Sequence, residues 1–240
     1  MVNEERLSII KKLKSIPHLR LNKKFDLEKI ICEYESISYD DFYPYDSRAI
    51  TPQVRDTIIS SWWGCSLMSS DGLNDGDLTE GHKPTNVIPT PASTKCGYIL
   101  KCLSEIGDVE KSIVRIMKIK PGGQLSWHSH AYDYGIGNNS TITIHVPIIV
   151  PEKFKYSVIS IRDNRLIDYE IERPKVYSKR YDPGEAWIFN SYHMHNVFNH
   201  DTYDRVSIMM YASLENEKTF KLVSDAINSY TGETISDEYT

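Results

Sequence analysis

Cysteine is scarce in this chain: four occur in 240 residues, at Cys32, Cys65, Cys96 and Cys102, with no Cys-x-x-Cys step. Reduced thiols are therefore expected rather than a disulfide framework. No run approaches the ~20 apolar residues that a membrane span needs. The first turn is charged (Glu4, Glu5 and Arg6, then Lys11 and Lys12) and lacks the apolar stretch of a signal peptide. Long basic runs are missing too, and 28 Lys and Arg against 33 Asp and Glu leave a net charge of −5. That balance speaks against nucleic acid as a partner. Internal repeats, low-complexity tracts and a linker between domains are all absent. The expectation is a cytoplasmic protein without membrane or nucleic-acid partners, folding as one domain over residues 1–240.

What is present suits a sizeable core: 40% of residues are hydrophobic and 25% charged, an ordinary globular balance. Sixteen tyrosines against six phenylalanines favour strand faces and amphipathic pockets. Leu7, Ile10 and Leu13 recur at helical spacing over 4–15, and Pro17 ends that helix. A second helix is expected over 26–36 with Asp26 as its cap, followed by an irregular aromatic stretch over 39–52. Residues 57–68 read as a strand carrying Trp62 and Trp63. The stretch 69–95, rich in Asp, Gly, Thr and Pro, has no periodicity and reads as a lid or as a plain surface excursion. After a short helix over 97–104, strands are expected over 112–120, from His128 onward, and over 141–150, the last buried on both faces. A hairpin over 154–161 and 166–171 follows, then strands over 176–181, 186–189, 195–199 and 205–212. A helix over 217–230 closes the chain. The class is mainly β with flanking helices, a sandwich or barrel. A helical flank (1–56) precedes a β core (57–212, including the 69–95 loop), and a helix and tail (213–240) follow it.

The chemistry concentrates around Pro121-Gly-Gly-Gln-Leu-Ser-Trp-His128-Ser-His130. Residues i and i+2 of a strand share a face, so His128 and His130 can aim at one point. A further imidazole, His195, follows the turn at Pro183-Gly184 and a second apolar strand. Two strands far apart in sequence, each offering histidine, are how a barrel assembles a mononuclear metal site. Past His195 the chain turns at 200–204, and Arg205 opens the returning strand. At ~3.4 Å per residue the two ends of this hairpin lie on the order of 15 Å apart. A five-carbon diacid and an extended arginine bridge such a gap, and Ser207, on the same strand face, can add a hydroxyl. Taken singly, His-x-His is a weak signal and Arg205 reads rather as an exposed edge charge.

The ordered series Arg115-x5-Pro121-Gly122, His128, His145-Val-Pro147, Gly184-Glu185-x-Trp187-x-x-Asn190 and His195-x-Val197-x-Asn199-x5-Arg205 resembles the aspartyl/asparaginyl β-hydroxylase-related family. The resemblance implies a double-stranded β-helix (a jelly-roll, cupin-like barrel) that uses Fe(II), 2-oxoglutarate and O2. The reaction implied is hydroxylation of an unactivated C–H of an amino acid, peptide side chain or related small molecule, with 2-oxoglutarate decarboxylated to succinate. Carried over by position, His128 and His195 bind the metal, Arg205 holds the distal carboxylate of 2-oxoglutarate, and His145 is a second cosubstrate contact. Asn199 and Trp187 read as structural residues.

There are two departures from the family pattern. His130 stands where most relatives have Asp, and three readings stay open: a third ligand, a base beside a two-histidine metal, or replacement by Asp133. Its bulk argues against a halide position. Thr143 stands where relatives often have Arg. Arg115, Trp62, Trp63 and the 69–95 loop are candidates for the substrate side, with Arg115 equally readable as solvent-facing. The rival readings are a three-histidine cupin that does not use 2-oxoglutarate and a non-catalytic small-ligand-binding barrel. Oligomeric state is left open.

Overall fold

The computed structural model describes residues 4–44, 61–76, 86–130, 141–160 and 175–235. The chain opens with α1 (Glu4–Ser15), which turns Ile9, Ile10 and Leu13 inward. It continues into β1 (His18–Lys24) and α2 (Leu27–Ser36). The Asp26 side chain accepts the Lys29 N–H at the start of α2, as a helix cap should. A single 3-10 turn leads to β2 (Tyr43–Pro44). Beyond come β3 (Trp62–Ser69), β4 (Ile88–Pro89) and α3 (Gly97–Ser104).

Among the described residues the middle of the chain is mostly strand, because β-branched and aromatic residues crowd it. It contains β5 (Val114–Ile119), β6 (Gln124–His128), β7 (Thr141–Ile149), β8 (Lys155–Ile159), β9 (Val176–Lys179), β10 (Glu185–Phe189), β11 (His195–Phe198) and β12 (Arg205–Ser213). The last helix is α4 (Glu217–Asn228).

Among the described residues the strands form two antiparallel sheets. The larger runs β1-β10-β7-β12-β5-β3-β2, with β4 on β3, and the smaller runs β6-β11-β8-β9. From β5 to β12 successive strands alternate between the two sheets, apart from the β8–β9 pair, and strands distant in sequence pair within each, which is the double-stranded β-helix. One apolar cluster packs the helices against the back of the larger sheet. A second, more aromatic cluster fills the space between the sheets, with Phe154, Tyr156, Tyr181, Trp187 and Phe189 among its members. Strand β7 reads Thr-Ile-Thr-Ile-His-Val-Pro-Ile-Ile and is buried along almost all of its length, because one face gives Ile142, Ile144, Val146 and Ile148 to the first cluster while Thr143 and His145 on the other line the space between the sheets.

Several expectations are corrected. His128 ends β6 rather than opening a strand, so His130 lies just past the strand. Strand β1 was not expected, yet its Leu19 and Leu21 are buried against β10. The stretch 69–95 is not featureless, since it holds β4 and a 3-10 turn at Pro91–Lys95. The 39–52 stretch likewise holds a 3-10 turn and β2. The expected strand over 166–171, residues 57–60 and 77–85, and Asp133 lie outside the described residues. All four cysteines are unbridged, and no described helix is long and apolar enough to cross a membrane.

Candidate active site

His128 and His195 face each other directly across the β6–β11 pair. A backbone bond from His130 N–H to the Ser191 carbonyl oxygen, 2.6 Å, holds His130 beside them just beyond the strand end. The ring centroids are 4.1 Å apart for His128 and His195, 4.8 Å for His128 and His130, and 5.2 Å for His130 and His195. One nitrogen from each ring falls within 4.8 Å of the others, which is the spacing of groups that share one small cation.

The histidine loop is anchored by the N-terminal helix. Asn190 donates to the carbonyl oxygens of Leu13, Lys14 and Ile16 and accepts the Tyr192 N–H. His193 Nε2 reaches the Lys14 carbonyl oxygen at 2.9 Å. His195 Nδ1 lies 3.0 Å from the His193 carbonyl oxygen; it carries its proton there and leaves the Nε2 lone pair for a ligand. Burial, then the neighbouring His128 and His130, hold the His195 pKa well below that of free imidazole. The ring is therefore neutral, the form that binds metals. Asn199 closes the β11–β12 turn, donating to Ile119 and Tyr203 and accepting from Asp201. Trp187 packs flat on Tyr181 with centroids 4.5 Å apart.

The larger sheet supplies the opposite wall. Arg205 is 2% exposed, not the edge charge that its position alone allowed. Its guanidinium lies 5.2 Å from the Phe154 ring centre and 5.1 Å from that of Tyr156. It donates to the Tyr156 hydroxyl, and its Nε has no partner. His145 on β7 is buried with Nδ1 unpartnered. Burial first, then the Arg205 charge, push its pKa well down, so it too is neutral.

These groups line one cavity of about 80 Å³ between the sheets, which holds His128, His130, His195, His145, Arg205 and Arg115 together. Ser207 is not on its wall: it is buried, and its hydroxyl donates to the Ile208 carbonyl oxygen at 3.1 Å. Arg115 is 4% exposed, so the solvent-facing alternative does not hold. Trp62 lines the cavity, whereas Trp63 packs by Tyr39 and beneath Lys120. Tyr156, Met209 and Tyr211 are wall residues that the sequence reading did not single out. Alternation along β8 and β12 was the signal that could have found them. Among the described residues the wall carries no carboxylate.

The family model for aspartyl/asparaginyl beta-hydroxylase matches residues 25–213. No curated protein matches the sequence. A 2OG-Fe(II) oxygenase family oxidoreductase from Burkholderia pseudomallei is 11% identical over 89% of this chain and 93% of its own, with TM-score 0.49. SnoN, a non-heme alpha ketoglutarate dependent epimerase from nogalamycin biosynthesis, is 9% identical over 96% and 92%, with TM-score 0.49. A cupin domain from Bordetella pertussis is 17% identical over 43% and 83%, with TM-score 0.28.

Proposed function

The chain belongs to the aspartyl/asparaginyl β-hydroxylase family, and from that premise we propose that it hydroxylates an unactivated C–H of an amino acid, peptide side chain or related small molecule. Fe(II) is held by His128, His195 and His130, and 2-oxoglutarate is anchored by Arg205. The observation that carries this reading is the convergence on a single cavity of two imidazoles from the smaller sheet, a third from just past its strand end, and a buried arginine from the larger sheet. The residues fit the cofactors. Three nitrogen donors suit a ferrous ion, and their neutrality leaves its full charge to attract a dianion. On the other wall, Arg205 Nε and His145 Nδ1 are buried without partners, which is costly unless an oxygen-rich ligand meets them.

Bound Fe(II) supplies the oxidising chemistry, in which 2-oxoglutarate and O2 give succinate, CO2 and one oxygen atom inserted into the substrate. The protein supplies position and dryness. Arg205 takes the distal carboxylate through its fork, with the Tyr156 hydroxyl fixing one arm and the Phe154 and Tyr156 rings excluding water around it. His145 offers a hydrogen bond to the same cosubstrate. The His193 carbonyl oxygen keeps the His195 ring turned so that Nε2 faces the cavity.

An all-histidine donor set also suits a cupin that does not use 2-oxoglutarate, and one titration separates the two. Fe(II)-loaded protein titrated with 2-oxoglutarate under nitrogen should develop a saturable visible charge-transfer band. His128→Ala and His195→Ala should lose both the band and the bound iron. Iron binding without any band in the unaltered protein favours the cupin. A band that survives both substitutions sinks the assignment of these ligands.

A further inference from the structure

Three electron-rich rings stand in file between the cavity and the outer surface of the barrel. Tyr156 lines the cavity. Its ring is tilted only 17° from that of Tyr181, with centroids 4.0 Å apart, and Tyr181 lies 4° from Trp187 with centroids 4.5 Å apart. Trp187 in turn lines a groove of about 720 Å³ on the outside, between β1, β9 and the end of α4. Lys179, exposed there, lies 5.4 Å from its ring centre. The inner end of the file reaches the metal-type ligands, because the Phe189 ring bridges Tyr156 and His195, 5.1 Å from one and 5.0 Å from the other.

Packing asks only for ring area, which phenylalanine supplies without a hydroxyl to satisfy. Yet Tyr156 and Tyr181 are 1% and 0% exposed, and both hydroxyls are engaged. The Tyr156 oxygen accepts from Arg205. The Tyr181 hydroxyl meets His18 Nδ1 at 2.9 Å, while His18 Nε2 lies 3.0 Å from the Tyr177 carbonyl oxygen. A carbonyl oxygen only accepts, so Nε2 carries the His18 proton and Nδ1 offers its lone pair to the Tyr181 O–H. Burial lowers the His18 pKa from 6.5 to about 4, which keeps the ring neutral. An oxidised phenol is a strong acid, and this one has a neutral imidazole waiting on its proton.

We propose that Tyr156, Tyr181 and Trp187 carry oxidising equivalents from the cavity to the groove, so that a loaded site meeting O2 without substrate is discharged instead of oxidising its own wall. The oxidant rests on the oxygenase reading above: it is the equivalent left when 2-oxoglutarate and O2 have reacted and no C–H takes the oxygen atom. In each pass one electron leaves Tyr181 through Tyr156 toward the cavity, and the phenolic proton moves to His18 Nδ1. An enediol reductant in the groove then returns one electron through Trp187, and His18 returns the proton. Enediols suit this step because they give up electrons singly. Two passes convert the enediol to its diketone, which releases two protons, and the oxygen atom to water, which takes up two.

The relay is tested first without metal. Lys179→Cys in a Cys32→Ser background carries a ruthenium photo-oxidant at the groove, the other three cysteines being buried. A flash in the presence of an electron acceptor should produce a phenoxyl absorption. The signal should vanish in Tyr181→Phe and persist in Tyr177→Phe. In Trp187→Phe and His18→Phe it should form about tenfold more slowly, as a modestly raised barrier requires. No phenoxyl in the labelled protein, or one lost with Tyr177 instead of Tyr181, overturns the inference. Should Tyr181→Phe not fold, heavy water must slow the signal in the labelled protein, since the proton moves with the electron; no slowing overturns it equally. The Fe(II)- and 2-oxoglutarate-loaded protein is then exposed to O2 without substrate. Ascorbate should prolong 2-oxoglutarate consumption by the unaltered protein. Tyr181→Phe should start at the same rate, fail severalfold earlier with or without ascorbate, and gain oxygen on cavity residues by mass spectrometry. Equal survival without added oxygen overturns the relay while leaving the oxygenase reading in place. If no 2-oxoglutarate is consumed although the flash signal appears, the oxygenase reading fails, and the inference falls for want of its oxidant.

Discussion

Arg205 illustrates how a residue's surroundings decide its meaning. A strand-opening arginine is ordinarily solvated, but here one phenol and two ring faces replace its water. Cation–aromatic contact recovers on the order of 1–2 kcal/mol, well short of the several that burial of an ion costs. The remainder is available to a bound carboxylate. Arg205→Ala should therefore raise the 2-oxoglutarate needed for half-saturation of the charge-transfer band by roughly 10- to 100-fold, the worth of a hydrogen-bonded charge, with iron content unchanged. Arg205→Lys should recover only part of it, because an ammonium cannot form the fork. An unchanged titration in Arg205→Ala would remove this residue from the cosubstrate site. His128 and His195 were legible from spacing and strand context, whereas Arg205 was legible only through the family resemblance, because its position alone read as an exposed edge charge. Tyr156 was not, because parity points it inward without revealing that Arg205 would meet its hydroxyl from the other sheet.

Elements bring these residues into place through their turns. Gly122 and Gly184 have nearly the same backbone, φ +74 and +78, but unequal space. A Cβ at Gly122 would meet nothing within 4 Å, whereas at Gly184 it would meet the Phe25 carbonyl oxygen at 3.0 Å. Gly184 also bonds through its backbone to both Phe25 and Pro147. Gly122→Ala should cost roughly 1–2 kcal/mol, the left-handed penalty alone, and Gly184→Ala distinctly more; equal urea midpoints would refute the comparison. His18 ties the edges of the two sheets together. On β1, it contacts the Tyr181 hydroxyl through Nδ1 and the Tyr177 carbonyl oxygen through Nε2. Burial lowers its pKa from 6.5 to about 4. Between those values the unfolded chain binds the proton and the folded one does not, so stability is full above pH 6.5 and falls as the pH drops toward 4. The loss is roughly 3 kcal/mol for a shift of that size. His18→Phe should be less stable at pH 7 yet lose less on acidification, measured as urea midpoints at pH 7 and 4.5. An equally steep loss would place the acid sensitivity elsewhere. Strand β1 itself escaped the sequence reading because only Leu19 and Leu21 alternate in it, and an edge strand needs β10 before its pattern means anything. The end of β6 escaped for a related reason: parity says which way a side chain points, but not where pairing stops. His130 reaches the site from beyond the strand because the Ser191 carbonyl oxygen holds it there.

At the scale of the molecule, the site is divided between walls. His128 and His195 belong to the smaller sheet, with His130 just past its end, while Arg205, His145 and Arg115 belong to the larger. A ligand that touches both walls must couple the sheets, and binding to the folded state alone adds RT ln(1 + [L]/Kd), about 2.7 kcal/mol at a hundredfold excess over Kd. For a chain of this size each kcal/mol moves the melting temperature by about 2–4 °C. Under nitrogen, Fe(II) alone should raise Tm, and 2-oxoglutarate added at a hundredfold excess should raise it by a further 5–10 °C or so. Without the metal the diacid should do much less, because Arg205 then holds it from one wall only. Arg205→Ala should keep the metal increment and lose most of the second. If 2-oxoglutarate raises Tm equally with and without Fe(II), the diacid is bound by one wall alone. The two sheets then do not share it, and the cavity does not act as the single site proposed here.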